Sequence, residues 1–191
     1  MLEQGNYHSA VVKSVEKLRK NPDSKKSRQT LRQAYPLAQE FYLSNIRNLR
    51  SSNHPFVWTE TVYSYNKLNA LYEEIQRSPA AKQVIPSPAN YYQNLSEAKN
   101  NAADEQYQAG TYALNQNTRE SAKKAYFHFL DADAFVQNYK DVQEKIDQAK
   151  YAATLKVIVD QVAVPSRTYK ESGEQFHNLV ADFLRKLEMN E

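Results

Sequence analysis

Residues 5–22, GNYHSAVVKSVEKLRKNP, indicate the fold class most directly. Their apolar side chains recur every three to four positions, which is the spacing of one face of an α-helix, at Ala10, Val11, Val15 and Leu18. Pro22 marks the end of this helix, because the residue before a proline avoids the helical region of φ/ψ space. The stretch therefore predicts an amphipathic helix over Tyr7–Lys20.

The same periodicity continues along the chain. Further helices are predicted around residues 27–49, 58–75, 95–114, 117–136, 141–153 and 176–187. One face of the second helix contains Leu31, Ala34, Tyr35, Ala38, Phe41, Tyr42, Asn45 and Leu49. Pro36 lies inside that helix and should kink it or start a new one. Residues 78–90 hold three prolines and are predicted to be a non-helical connection, and Asn117 with Glu120 resembles a capping box.

The composition of the 191 residues is that of a folded domain, with 41% apolar and 25% charged side chains. No apolar run approaches the roughly 20 residues of a membrane-spanning helix. The absence of cysteine excludes disulfide scaffolds, thiolate zinc sites and cysteine nucleophiles. Only three glycines are present, which excludes glycine-rich phosphate loops. Nothing in these numbers indicates a cofactor.

The pattern changes at Thr154–Val162, which is β-branched and nearly alternating and therefore predicts a β-strand. We expect a helical domain over 1–153 and, over 154–191, a strand and a final helix that begin a further domain. A single strand needs a partner for its backbone groups. Three explanations are open: a missing downstream domain, which is preferred, pairing with a second copy of the chain, or an error in the strand prediction.

Two stretches resemble the tetratricopeptide repeat. In the first, Gly5-Asn6-Tyr7 is followed by Ala10, and Asn21-Pro22 closes the helix at the offset that this family uses. In the second, Tyr107 and Gly110 lie on one helix and Ala122 and Tyr126 on the next; Asn117 replaces the usual turn glycine, and no proline closes the pair. The resemblance covers about a third of the chain and implies degenerate stacked helical hairpins.

Three other segments look like uncharacterised bacterial envelope lipoproteins with repeat-like N-terminal regions. They are Tyr63–Tyr72, Ile85-Pro86 with Pro88, and Ala125-Tyr126 with Phe129. This resemblance implies an exported, membrane-anchored protein whose leader and lipid-bearing cysteine lie upstream of Met1. A cytoplasmic location stays open.

No catalytic motif is apparent. The four histidines, His8, His54, His128 and His177, show no metal-ligand spacing, and the serines have no base that the sequence reveals. The chain is therefore predicted not to be an enzyme. A catalytic site assembled from distant residues stays open as a minor hypothesis.

Aromatic side chains are the candidates for contact with a protein partner. Trp58, Tyr63, Tyr65 and Tyr72 could line a groove, because amphipathic rings are favoured at binding surfaces. Trp58, Tyr65 and Tyr72 share a stripe that equally suits a core. Tyr63 lies off that stripe and is the better surface candidate.

Basic side chains concentrate near the N-terminus. Residues 13–50 contain ten Lys or Arg and three acids, and the candidates for contact with an anion are Lys13, Lys17, Lys20, Lys25, Lys26, Arg28 and Arg32. Such a patch could bind nucleic acid or an acidic polymer by releasing counterions. The solvated outer face of a hairpin is the preferred interpretation, since no RNA-reading motif accompanies the patch.

The leading hypothesis is therefore a helical-repeat module that binds another protein or positions an attached domain. An anion-binding module that acts through the basic patch is the alternative.

Overall fold

The structure is a computed structural model that describes residues 6–155 and 170–188. These residues form the helices α1 (Tyr7–Lys20), α2 (Lys25–Arg50), α3 (Val57–Gln76), α4 (Pro79–Val84), α5 (Tyr92–Leu114), α6 (Arg119–Phe135), α7 (Val142–Ala153) and α8 (Lys170–Glu188). No β-strand occurs in the described ranges. The chain divides into two compact units, Met1–Ala153 and Thr154–Glu191. The mainly α class is confirmed.

Proline acts differently in α1 and α2. α1 ends at Lys20, two residues before Pro22, as the sequence predicts. Of the two alternatives for Pro36, the start of a new helix was wrong, because α2 is continuous from Lys25 to Arg50, and the kink stays a prediction. A proline inside an isolated helix costs about 3 kcal/mol. The buried apolar residues of α2, which include Tyr35 next to Pro36, offset this cost by removing apolar surface from water.

Most helices that are neighbours in sequence are also neighbours in space within Met1–Ala153; α4 instead packs against α1, α2 and α3. α1 and α2 are joined by four residues and pack side by side, so they form an antiparallel hairpin. α3 packs against both of them, and α5 packs against α3. α5 and α6 form a second hairpin with a four-residue connection, and α7 packs against α6.

The connection over residues 78–90 contains a helix that the sequence analysis missed. Pro79 occupies the first position of α4, where its missing N–H removes no hydrogen bond. The Ser78 hydroxyl caps this helix by accepting a bond from the Ala81 N–H at 3.3 Å. The expectation of a wholly non-helical connection was therefore wrong, because Pro79 begins a helical turn here.

Two apolar clusters form the interior of this unit. The first draws on α1 to α5 and includes Val11, Val15, Leu18, Leu31, Leu71 and Ile75. The second draws on α5 to α7 and consists of Ala113, Ala125, Phe129, Ala132, Val142 and Ala149. Phe129 fills the space between small residues: a Cβ built on Gly110 would lie 2.8 Å from its ring. Glycine thus lets α5 and α6 approach closely.

α6 begins with a different capping pair from the one predicted. The Thr118 hydroxyl accepts a bond from the Ser121 N–H at 3.1 Å, and the Ser121 hydroxyl accepts one from the Thr118 N–H at 3.2 Å. Asn117 precedes this box with a φ of 52°, a left-handed conformation that asparagine adopts more readily than most residues. The predicted pair, Asn117 and Glu120, was wrong by one residue.

A lysine fixes the loop between α6 and α7 onto α5. Lys140 Nζ lies 2.5 Å from Asp104 Oδ1 and 4.9 Å from the ring centroids of both Tyr107 and Tyr139. The Tyr139 hydroxyl donates to the same carboxylate oxygen at 2.7 Å. These hydrogen bonds lower the pKa of Asp104, with Lys140 as the larger cause. They hold in place a loop in which Asn138 and Lys140 have left-handed φ values.

The predicted strand Thr154–Val162 falls, from residue 156 onward, outside the described residues. Thr154 and Leu155, which are described, belong to no regular element. The strand and the pairing of two copies through it stay predictions. In the described ranges, no helix has the length and apolar character needed to cross a membrane.

Candidate protein-binding surface

Of the four aromatic residues proposed for partner binding, two belong to or pack against the interior, and a third, Tyr72, is half-buried. Tyr65 is buried and stacks on Tyr91 with ring centroids 6.0 Å apart. Trp58 is half-buried against the first cluster, and Tyr72 is half-buried and meets Tyr92 edge to face. These three residues recur every seven positions, which places them on one helix face. The structure therefore does not bring all four together in an exposed groove.

Tyr63 lies on the surface and is 60% exposed. It is two residues from Tyr65, and two residues rotate a helix by about 200°, so the two rings point to opposite sides of α3. The Lys67 ammonium lies 5.0 Å from the centre of the Tyr63 ring. Tyr63 is thus the exposed member of the predicted set.

Phe41 on α2 is a surface residue that the sequence analysis placed on the buried face. It is 49% exposed, and Leu37, one turn earlier on the helix, is exposed as well. Its neighbour Tyr42 is the buried residue at this level of α2. The apolar stripe of α2 is wide enough to include both rings, and the packing of α1 and α3 decides which one is covered.

Five neighbouring side chains define what we call the aromatic surface: the exposed Phe41 and Tyr63, the half-buried His8 and Lys67, and the buried Tyr42 beneath them. The His8 and Phe41 rings both meet the Tyr42 ring edge to face, with centroids 5.8 and 5.3 Å away. Tyr63 lies near enough to Tyr42 to contribute to its raised pKa, after burial as the main cause. Three helices therefore contribute to a single surface.

Lys67 makes the aromatic surface electropositive. In the described part of the chain it forms no ion pair with a carboxylate. Burial lowers the pKa of the nearby His8, and the Lys67 charge lowers it further. A cation beside exposed rings can receive a ligand that carries both apolar groups and a carboxylate.

His8 should make the stability of the protein sensitive to mild acid. Its pKa is lowered on folding, so below about pH 6.5 the unfolded chain binds the proton more readily. The contribution of neutral His8 to the free energy of unfolding is fully present at neutral pH. It is lost as the pH falls from about 6.5 toward the lower pKa that His8 has in the folded protein. Chemical denaturation between about pH 7.5 and pH 5.5 should show a smaller loss for His8→Phe than for the wild type. Equal losses would contradict this assignment.

The basic residues proposed for anion binding are mostly exposed. Six of the seven, Lys13, Lys17, Lys20, Lys25, Lys26 and Arg32, lie on the surfaces of α1 and α2. Arg28 differs because it is half-buried: its Nε donates to the Pro22 carbonyl at 2.9 Å and its Nη2 to Gln83 Oε1 at 3.0 Å. Binding of a nucleic acid or an acidic polymer by this patch stays a prediction.

A polar cluster that the sequence analysis did not find links α3, α5 and α6. Glu105 accepts bonds from the backbone N–H groups of Trp58 and Thr59 at 3.3 and 3.1 Å. Gln106 Nε2 donates to the Thr59 hydroxyl, and Gln106 Oε1 lies 2.8 Å from His128 Nδ1. Thr59 and Glu105 are 46 positions apart, and no local pattern in the sequence indicates that they meet. The cluster accepts hydrogen bonds from two backbone N–H groups in the first turn of α3, and its role is therefore structural.

Potential metal ligands do not converge in the described ranges: no group of three or more His, Cys, Asp or Glu side chains is placed to hold an ion. Comparison with protein-family models, with curated proteins and with solved structures finds no match to this chain.

Proposed function

We propose that the chain is a non-enzymatic helical-repeat module that binds a partner protein through the aromatic surface. The observation that carries this proposal is the exposure of Phe41 and of Tyr63, together with the position of Lys67 over the Tyr63 ring. Exposed large aromatic side chains grouped on one surface are typical of protein interfaces, where they become the residues that contribute most to affinity.

The likeness to tetratricopeptide repeats is part of the proposal. Two antiparallel hairpins, α1–α2 and α5–α6, support it. The contact of Gly110 with Phe129 also supports it, since repeats of this kind pack a small residue of one helix against a large residue of the next. Arrays of stacked helical hairpins bind segments of other proteins on their concave surfaces.

The expected occupant is a segment of another protein that combines an aliphatic or aromatic side chain with a carboxylate. The apolar group would cover Phe41 and Tyr63, and the carboxylate would pair with Lys67. An acidic partner is favoured because Lys67 has no carboxylate partner among the described residues. The envelope location implied by the lipoprotein resemblance belongs to the same proposal and is tested by fractionation of the source cells.

The test begins with a photoreactive phenylalanine analogue at Tyr63 in the source cells, with the same analogue at Tyr112 as a control. Tyr112 is also strongly exposed, but it lies on α5. The protein that crosslinks from position 63 alone is then purified. The affinity of this partner for the chain should fall about tenfold or more when the chain carries Phe41→Ala or Lys67→Glu. It should be unchanged when the chain carries Tyr112→Ala.

Two outcomes would contradict the proposal. In one, Phe41→Ala and Lys67→Glu leave the affinity of the crosslinked partner unchanged. In the other, the affinity falls equally for Tyr112→Ala, which would place the contact elsewhere.

A further inference from the structure

A second feature lies where the C-terminal end of α1 meets the first turns of α2 and α4. Here the structure contains a pocket of about 350 Å³. Pro22, Pro79 and Ala80 give it an apolar lining, and Arg19, Arg28 and Gln83 contribute polar groups. Its volume lies within the range of about 300–1,000 Å³ that is typical of small-molecule sites.

The pocket results from the way the helices end. α1 stops at Lys20 before Pro22, and α4 starts at Pro79. The two prolines therefore place a helix end and a helix start side by side, and both line the pocket. Side chains cannot fill this space as they do between parallel helix faces, because the helices do not continue past it.

Two guanidinium groups are held in place at the pocket. Arg19 Nη2 donates to Glu74 Oε2 at 2.8 Å and to the Glu74 carbonyl at 3.3 Å. Arg28 is fixed by the Pro22 carbonyl and by Gln83. Within the described ranges, the Nη1 group of each arginine has no hydrogen-bond partner in the protein. Each arginine is thus oriented by hydrogen bonds to the protein and still has N–H groups that can donate to a ligand.

The local charge selects the kind of anion. Glu74 compensates Arg19, and Asp23 lies 3.9 Å from Arg28, although its side chain is 99% exposed and the pair is therefore weak. Because Glu74 neutralises Arg19 and Asp23 is only a weak partner, Arg28 supplies the one positive charge of the pocket that is not compensated by a close carboxylate. A single negative charge matches this site better than a multiply charged phosphate does, and the planar guanidinium matches a carboxylate.

We propose that this pocket binds a monocarboxylate that carries an apolar group, with Arg28 as the main anchor. The carboxylate accepts bonds from Arg28 and Arg19, and the apolar group lies against Pro22 and Pro79. The same chemistry occurs in a free N-acylated amino acid and at the C-terminus of a peptide. This site is separate from the aromatic surface and does not depend on the proposed function.

The experiment follows the amide and arginine Nε–H signals of the ¹⁵N-labelled chain by NMR during titration. The probes are N-acetyl-leucine and the peptide Ala-Ala-Leu, each compared with its C-terminal amide, and inorganic phosphate. Both carboxylates should shift the Arg28 and Gln83 signals saturably, with a dissociation constant of about 1 mM or lower, whereas the amides should not. Tighter binding of one carboxylate identifies the free acid or the peptide terminus as the source.

Two variants connect the binding to the pocket. Arg28→Gln should weaken N-acetyl-leucine about tenfold, while Arg32→Gln, an exposed change on the same helix, should have less than a twofold effect. Gln83→Glu introduces a carboxylate beside Arg28 and should abolish binding. Gln33→Glu makes the same change on an exposed part of α2 and should leave binding unchanged. The Gln83 variant keeps the test decisive if Arg28→Gln does not fold.

The proposal is overturned if neither carboxylate produces a saturable shift, if the amides bind as well as the acids, or if phosphate binds more tightly than both. It is also overturned if Gln83→Glu binds N-acetyl-leucine as the wild type does.

Discussion

Replacing Phe129 with alanine is expected to lower the free energy of unfolding by about 3–5 kcal/mol. Phe129 is fully buried, and it is the largest fully buried side chain among the described residues. The other buried members of its cluster are mostly alanines, and Gly110 lies against the ring; these short side chains cannot move far enough to fill the space that the ring leaves. Urea denaturation followed by circular dichroism measures the change.

Phe127→Ala is the matched control for this prediction. It removes the same side chain from the same helix, but Phe127 is 63% exposed. We expect a change within about 0.5 kcal/mol, because surface substitutions remove little buried area. If Phe129→Ala lowered the free energy of unfolding by less than about 1 kcal/mol, the packing of α5, α6 and α7 would not depend on this ring.

Replacing Glu105 with alanine is expected to lower the free energy of unfolding by about 2 kcal/mol. α3 begins after Phe56, which provides no side-chain cap, and Glu105 on α5 accepts bonds from the second and third N–H groups of α3 instead. The Thr59 hydroxyl donates to the same carboxylate at 3.2 Å. The substitution leaves these partly buried donors without a partner, and thermal or urea denaturation reports the loss.

Glu97→Ala provides the control on the same helix. Glu97 is exposed and is not a cap for α3. Its removal should leave the free energy of unfolding within about 0.5 kcal/mol of the wild type. Equal losses for the two variants would mean that the negative charge of α5, and not the cap of α3, accounts for the effect.

The helix ends show how far local sequence information extends. The predicted helix over Tyr7–Lys20 matches α1 at both ends, because Pro22 and the apolar spacing act within a few residues. The helix start expected at Pro36 and the non-helical connection expected at Pro79 were wrong, since the effect of a proline depends on its position in a helix and on the burial of its neighbours. A proline alone does not reveal that context.

The candidate surface was predicted only in part. Tyr63 could be found because it lies off the stripe of Trp58, Tyr65 and Tyr72, and the structure places it on the surface. Phe41 could not, since it belongs to an apolar stripe that is wider than the area covered by α1 and α3. Arg28 was one of seven basic residues with nothing in the sequence to separate it from the others.

The sequence by itself determined that the chain is mainly helical and where most of its helices lie, because helical periodicity and proline act over neighbouring residues. Only the tertiary structure decided which aromatic side chains are exposed and where Arg28 meets Gln83. Those contacts join residues far apart in the chain, 55 positions in the case of Arg28 and Gln83. They depend on how the helices pack against one another, and no local pattern records that packing.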